Sequence, residues 1–258
     1  MEDDSPTQGS RGIDLGVRPC AIIPAYRASK SIASVVEQTC ALWPEPSAVF
    51  VVDDGSDDGT AALAREAGAY VLQHSQNRGK GTALRTGFAY AERRGFDVAV
   101  TLDADAQHPP KEALRLAMVE PDPGALVLGV RDLVGASAPR SSQFSNRISN
   151  YWLSLFTERP LADTQCGLRR YPISTTLALG GRDPGYAYEA EIILRAIAAG
   201  VRVVEVPIEV YYPPAEERVS HFHVVRDPAR IIKRVLLTLA STRLYPTTIP
   251  GSSSAPRQ

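Results

Sequence analysis

A chain of 258 residues, 44% hydrophobic and 22% charged, is long enough to bury one substantial core. Its formal net charge of -1, with no basic stripe of interleaved aromatics, excludes the usual nucleic-acid binder. Cys20, Cys40 and Cys166 are odd in number and too widely spaced for a zinc site, so they point to a reducing compartment rather than a disulfide framework.

Residues 1–18 are acidic, polar and glycine-rich and lack the basic-then-apolar order of a secretory signal. They are expected to be disordered and the chain cytoplasmic. Cys20 to Ile23 reads as a buried strand, Ser31 to Leu42 as a helix and Ala48 to Val52 as a second buried strand. Thr60 to Ala67 is a helix closed by Gly68, followed by a strand at Tyr70 to Leu72, a helix from Gly81 to Arg94 and a strand from Asp97 to Leu102. Apolar strands alternating with helices predict an α/β fold, a mainly parallel Rossmann-like sheet flanked by helices.

The second half is more mixed. Ala125 to Gly129 is expected as a strand, Gln143 to Phe156 as an amphipathic helix and Gly167 to Tyr171 as a short strand. Tyr188 to Ala199 reads as a helix, Val201 to Val206 as a strand stopped by Pro207, and Asp227 to Leu239 as a last amphipathic helix. That helix would either lie on an anionic membrane surface or pack its apolar side on the domain. No window approaches the ~20 apolar residues that span a bilayer. One domain over 19–245 is predicted, with halves 19–130 and 131–245, and a disordered tail over 246–258.

In parallel sheets ligands sit beyond the C-terminal strand ends. Three polar clusters fall there: Pro24-Ala25-Tyr26, Asp53-Asp54-Gly55-Ser56 and Asp103-Ala104-Asp105. Asp103, Asp105 and Gln107 alternate along what reads as an extended segment, which would put their side chains on one side. Two carboxylates and an amide oxygen are hard ligands suited to Mg2+ or Mn2+. Asp53 and Asp54 are placed to accept a hydrogen bond from a base N–H, while Asp57 and Asp58 read as helix caps. Gly79 and Lys80 open a helix, where backbone and dipole favour an anion; Lys80 is either a diphosphate contact or a solvated helix start.

Taken together, Ile23 to Tyr26, Val52 to Thr60, Asn77 to Gly81 and Asp103 to Pro110 resemble, in order and spacing, family 2 glycosyltransferases of the GT-A fold. The similarity is to the branch containing dolichyl-phosphate mannose and glucose synthases. It implies that Pro24, Ala25 and Tyr26 line a nucleobase, that Asp54 binds its N–H beside Asp53, and that Asp103 faces ribose and metal with Ala104 beside it. Asp105 and Gln107 would complete the metal ligands. It further implies an acceptor phosphate on Arg131, with Arg140 and Arg147 as further candidates, and a sugar- and acceptor-facing segment at Asp163 to Gly167, including Gln165.

Asp163 is the first candidate for a base or acceptor-orienting carboxylate, and Glu189 and Glu191 follow, either catalytic or helix-dipole acids. The segment Arg218 to His223, with Arg218 and His221, would close over donor phosphates or form a plain surface loop. The resulting expectation is a metal-dependent enzyme moving a hexose from a UDP- or GDP-sugar, with inversion, to a polyprenyl phosphate. It would touch the inner face of the membrane peripherally. The alternatives are a sugar or small-molecule hydroxyl acceptor, or a nucleotide-sugar-binding protein without transferase activity.

Overall fold

The computed structural model describes residues 17–212. The helix expected at Asp227 to Leu239, the loop with Arg218 and His221, and nearly all of both terminal segments lie outside the described residues.

Seven strands form one sheet: β1 (Pro19–Ala25), β2 (Val49–Asp53), β3 (Tyr70–Gln73), β4 (Val98–Thr101), β5 (Leu126–Arg131), β6 (Arg169–Pro172) and β7 (Val203–Ile208). Their order across the sheet is β3-β2-β1-β4-β6-β5-β7. Seven α-helices flank them: α1 (Ile32–Leu42), α2 (Thr60–Glu66), α3 (Lys80–Arg93), α4 (Pro110–Met118), α5 (Arg140–Thr157), α6 (Ile173–Leu179) and α7 (Ala187–Ala198). β1 pairs in parallel with β2 and β4, as do β2 with β3 and β5 with β7. Only β6 runs against its neighbours, β4 and β5. The predicted α/β sheet is present, and β6 is what makes the second half mixed.

Strands β2 and β4 are buried at every residue, as expected for central strands covered on both faces. Phe50, the largest side chain of β2, meets Tyr90 and Phe96 edge-on, with ring centroids at 5.2 and 5.4 Å. Pro207, read as a strand terminator, instead lies inside β7 opposite Val130. β7 is the outermost strand, so the missing N–H removes no bond from a ladder on its open side. The short helix α6 went unpredicted, its Ile173-Ser-Thr-Thr start being β-branched and polar.

The extended course expected for Asp103 to Gln107 is corrected by a turn. Ala106 takes a left-handed φ of 61°, and the Gln107 N–H donates to Asp105 Oδ1 at 3.0 Å. Period-two alternation therefore does not hold there, and Gln107 is not set beside Asp103 by strand geometry.

β6 carries two arginines wholly inside the protein. Arg169 donates to three main-chain carbonyls, of Cys166 at 2.7 Å, Thr164 at 2.8 Å and Glu189 at 2.9 Å. It thereby ties the 163–168 loop to α7. Arg169→Met would leave the buried Cys166 and Thr164 carbonyls without this donor, at a cost of about 3 kcal/mol or more. Urea unfolding should show a lower midpoint at unchanged slope. A midpoint equal to wild type would refute this role.

Candidate active site

All polar clusters converge at one sheet edge, where β1, β2, β4 and β5 end. The loops after β1 and β2 are pinned together: Arg27 N–H donates to Ser56 Oγ at 2.9 Å, Ala28 N–H to Thr60 Oγ1 at 2.9 Å, and Asp54 N–H to the Ala25 carbonyl at 2.8 Å. Pro24, Ala25 and Tyr26 thus lie beside Asp53 and Asp54, with Ala25 opposite Asp53 in the sheet register. Asp57 does not cap α2; it forms an exposed ion pair with Arg27 at 2.8 Å. Asp58 accepts from Thr60 N–H at 3.1 Å and from Ser29 N–H at 3.1 Å.

The paired acids after β2 have unlike surroundings. Asp54 is buried and accepts from Arg78 N–H at 3.0 Å and Gly79 N–H at 2.7 Å, with His74 Nδ1 at 2.7 Å from its Oδ1. It holds the 74–79 loop that delivers Lys80. Among the described residues, Asp53 accepts only a longer bond from Ser56 N–H, at 3.3 Å, and its Oδ2 is buried without a partner. Gly79 sits at φ 92°, and a Cβ there would collide with the Pro184 carbonyl. Only glycine lets the chain pass so close to the 183–185 turn.

Lys80 opens α3 and points into the site. Its ammonium lies 2.7 Å from Asp103 Oδ1 and 3.1 Å from Glu189 Oε2. Burial alone would lower its pKa, but Asp103 and Glu189 outweigh that and hold it above the ordinary lysine value. Burial likewise opposes the charge on Asp103, yet Lys80 and then His108 bring its pKa down to about 2. Asp105 has no such partner: burial, then the charge of Asp103, pushes it up to about 6. Two acids therefore share one ammonium, and Asp105 beside them is not ion-paired with it. Gly167 lies against Asp103, where a Cβ would strike the carboxylate, and its carbonyl accepts from Thr101 Oγ1 at 2.7 Å.

On the other side, Asp163 is fully buried and ion-paired with Arg131 at the end of β5. Arg131 Nε lies 2.7 Å from Oδ2 and Nη2 3.0 Å from Oδ1, a bidentate pair. The N–H groups of Gln165 and Cys166 also donate to Oδ1, at 3.2 and 3.1 Å. Arg131 Nη1 reaches Tyr212 Oη at 3.3 Å. Gln165 is turned to α5, its Nε2 donating to Ser145 Oγ at 3.0 Å. Glu191 is consumed by Arg195 and by the Arg182 and Asp183 N–H groups, so its role is structural. Among the described residues, Glu189 Oε1 is buried without a partner. Arg140 and Arg147 are exposed on α5.

Sequence reasoning missed Tyr212 and Arg169, which lack any local motif, and His108, which lies in the Asp103 to Pro110 motif. His108 is buried, 4.0 Å from Asp103 and 3.7 Å from Cys166 Sγ, and burial pushes its pKa down to about 4. The unfolded chain takes up this proton near the ordinary 6.5 and the folded chain only near 4, so His108 lowers stability as pH falls through that window. His108→Gln removes this effect. The stability of wild type relative to the variant should shrink by about 3 kcal/mol between neutral pH and pH ~4. A difference independent of pH in thermal unfolding would contradict a neutral His108.

Comparisons with known proteins agree with this geometry. Residues 20–175 match the family model described as glycosyl transferase family 2. A polyprenol monophosphomannose synthase of Mycolicibacterium smegmatis is 32% identical over 204 residues, covering 74% of this chain and 76% of its own. An undecaprenyl-phosphate mannosyltransferase of Micrococcus luteus is 31% identical, covering 74% of this chain and 83% of its own. Among solved structures, a glucosyl-3-phosphoglycerate synthase of Mycobacterium tuberculosis, in complex with Mn2+, UDP and glucosyl-3-phosphoglycerate, aligns with a TM-score of 0.68 at 19% identity. That alignment covers 94% of this chain and 84% of the other. With the sheet, the strand-end acids and these likenesses in place, the chain belongs to glycosyl transferase family 2 and is a glycosyltransferase of the GT-A fold.

Proposed function

We propose that this glycosyltransferase moves a hexose from a UDP- or GDP-sugar to a polyprenyl phosphate, with inversion at the anomeric carbon. The observation that carries the acceptor is the state of Asp163. A hydroxyl acceptor needs a base, and the first candidate is buried and committed to Arg131. A phosphate acceptor is already ionised near neutral pH and needs none. Asp163 then acts as a positioning carboxylate, presenting a permanently charged Arg131 to an acceptor phosphate. The names of the two mannose-transferring relatives, both of which act on polyprenyl lipids, support the same class.

Asp53 Oδ2, buried and unpartnered beside Ala25, is the better acceptor for a base N–H, with Asp54 acting through the loop that sets Gly79 and Lys80. In the reaction the acceptor phosphate oxygen attacks C1 of the sugar. The bond from C1 to the diphosphate oxygen breaks, and the electron pair leaves with the nucleoside diphosphate. Lys80 faces the growing negative charge.

Asp103 and Asp105 fit a divalent cation: they are hard oxygen ligands, and the raised Asp105 marks a site short of positive charge. Among the described residues no three His, Cys, Asp or Glu form a complete cage, so diphosphate oxygens, water or the Gln107 amide would finish the shell. When bound, Mg2+ or Mn2+ supplies charge stabilisation for the departing diphosphate.

A second reading, transfer to a hydroxyl, is favoured by one feature: the free Glu189 Oε1 could take a proton. Among the described residues no helix is long and apolar enough to cross a membrane. The proposed contact with a lipid acceptor is therefore peripheral for this part of the chain.

Labelled GDP-mannose and UDP-glucose, each with undecaprenyl phosphate, should give labelled lipid in the presence of Mg2+ or Mn2+. Transfer to soluble alcohols alone would sink the lipid reading. Glu189→Gln separates the two readings, because loss of a general base costs ~100-fold or more in kcat whereas a phosphate acceptor should tolerate it within about tenfold. Asp105→Ala should abolish metal-dependent thermal stabilisation by UDP or GDP and lower activity by about 100-fold or more. Retained metal dependence would remove Asp105 from the ligand set.

A further inference from the structure

Helix α5 turns Leu153 and Phe156 to the core but buries mainly polar side chains beside them. Its buried face carries Ser145, Asn146, Ser149 and Leu153. These groups serve the wall of the site: Ser149 Oγ accepts from Thr164 Oγ1 at 2.8 Å, and Asn150 Oδ1 accepts from Thr164 N–H at 2.8 Å. The outer face carries Phe144, Tyr151 and Leu155, which are 65%, 63% and 53% exposed. With Ile148 they follow helical spacing and form one continuous stripe. The stripe borders an open groove of about 800 Å³ that Trp152 and Leu161 also line. Val134, in the loop from β5 to α5, is 76% exposed. Burying polar side chains while leaving aromatic and leucine side chains in water runs against the hydrophobic effect unless something covers the outer face.

The charges say what. Between Arg140 and Thr157 there is no acidic residue. Arg140 and Arg147 are exposed, and neither has an ion pair with a described residue. Setting this face against a second copy of itself would bring cation to cation. The chain's own segment Asp227 to Leu239 carries Arg230, Lys233 and Arg234 and is a poor electrostatic match for the same reason. Aromatic and leucine side chains flanked by unpaired arginines suit the interface of a bilayer with anionic headgroups.

We propose that the outer face of α5, with Val134, docks the protein on an anionic membrane surface. The opposite, buried face of the same helix braces Thr164 and Gln165. Docking and acceptor identity are tested separately, because the vesicles used carry no polyprenyl phosphate.

The full chain would be sedimented with vesicles of phosphatidylcholine, and of phosphatidylcholine and phosphatidylglycerol in equal parts. Binding to the anionic vesicles is expected. The triple substitution Phe144→Ser, Tyr151→Ser, Leu155→Ser should weaken it by about 100-fold or more while leaving Tm unchanged or raised. Arg140→Gln with Arg147→Gln should weaken binding to anionic vesicles about tenfold and leave neutral vesicles unaffected. Equal binding by wild type and the triple variant overturns the proposal. So does a Tm drop of more than ~5 °C in the triple variant, which would show the face already covered by the chain itself. A wild-type dimer that becomes a monomer in the triple variant, by light scattering, would assign the face to a second copy and overturn it too.

Discussion

The ammonium of Lys80 is the contact on which the site depends. It joins the start of α3 to Asp103 beyond β4 and to Glu189 on α7, which is more than a hundred positions further along the chain than Lys80. A buried ammonium is costly unless it is well paired, and acids crowded together are costly unless a cation sits among them. Each cost is met by the other here. The match is incomplete, because Asp105 remains with its pKa pushed up to about 6. The strand-end acids are therefore arranged to accept more positive charge than the chain itself provides, which is the electrostatic condition for binding a diphosphate together with a cation.

A second buried pair, Asp163 with Arg131, organises the opposite wall. Its carboxylate is held by the guanidinium and by three main-chain N–H groups, those of Arg131, Gln165 and Cys166. Arg169 does similar work for the backbone by capping three carbonyls at once. Removing either partner of such a pair strands a buried charge or polar group, which is more damaging than the net worth of the pair suggests. The two walls therefore fail differently. On the Lys80 side Asp103 is still partly exposed, whereas Asp163 is fully buried.

Much of this was legible beforehand. Buried apolar runs fix β1, β2 and β4, and the polar residues that end them fall at one sheet edge because parallel strands share a direction. Several details were not. Asp53 and Asp54 are neighbours with opposite environments, and Glu189 and Glu191 share a helix yet face different partners. Local spacing does not rank either pair, since Gly79 and Lys80, which decide Asp54 and Glu189, arrive from elsewhere in the fold, although the Arg195 partner of Glu191 stands one turn along the same helix. The turn at Ala106 likewise defeats an alternation that the sequence displays, because a single left-handed residue resets which way the following side chains point.

By itself, then, the sequence determined the fold class, the family and the edge where chemistry happens, through apolar periodicity and motif order, both of which are local. Only the tertiary structure decided which acids are free. Burial, long-range ion pairs and hydrogen bonds to distant backbone set the state of each carboxylate. It also showed that α5 buries Ser145, Asn146 and Ser149 beside Leu153 and leaves Phe144, Tyr151 and Leu155 outward. An amphipathic pattern tells that a helix has two faces, but which of them the core takes depends on the polar groups waiting there, and those come from Thr164 and Gln165 on another segment.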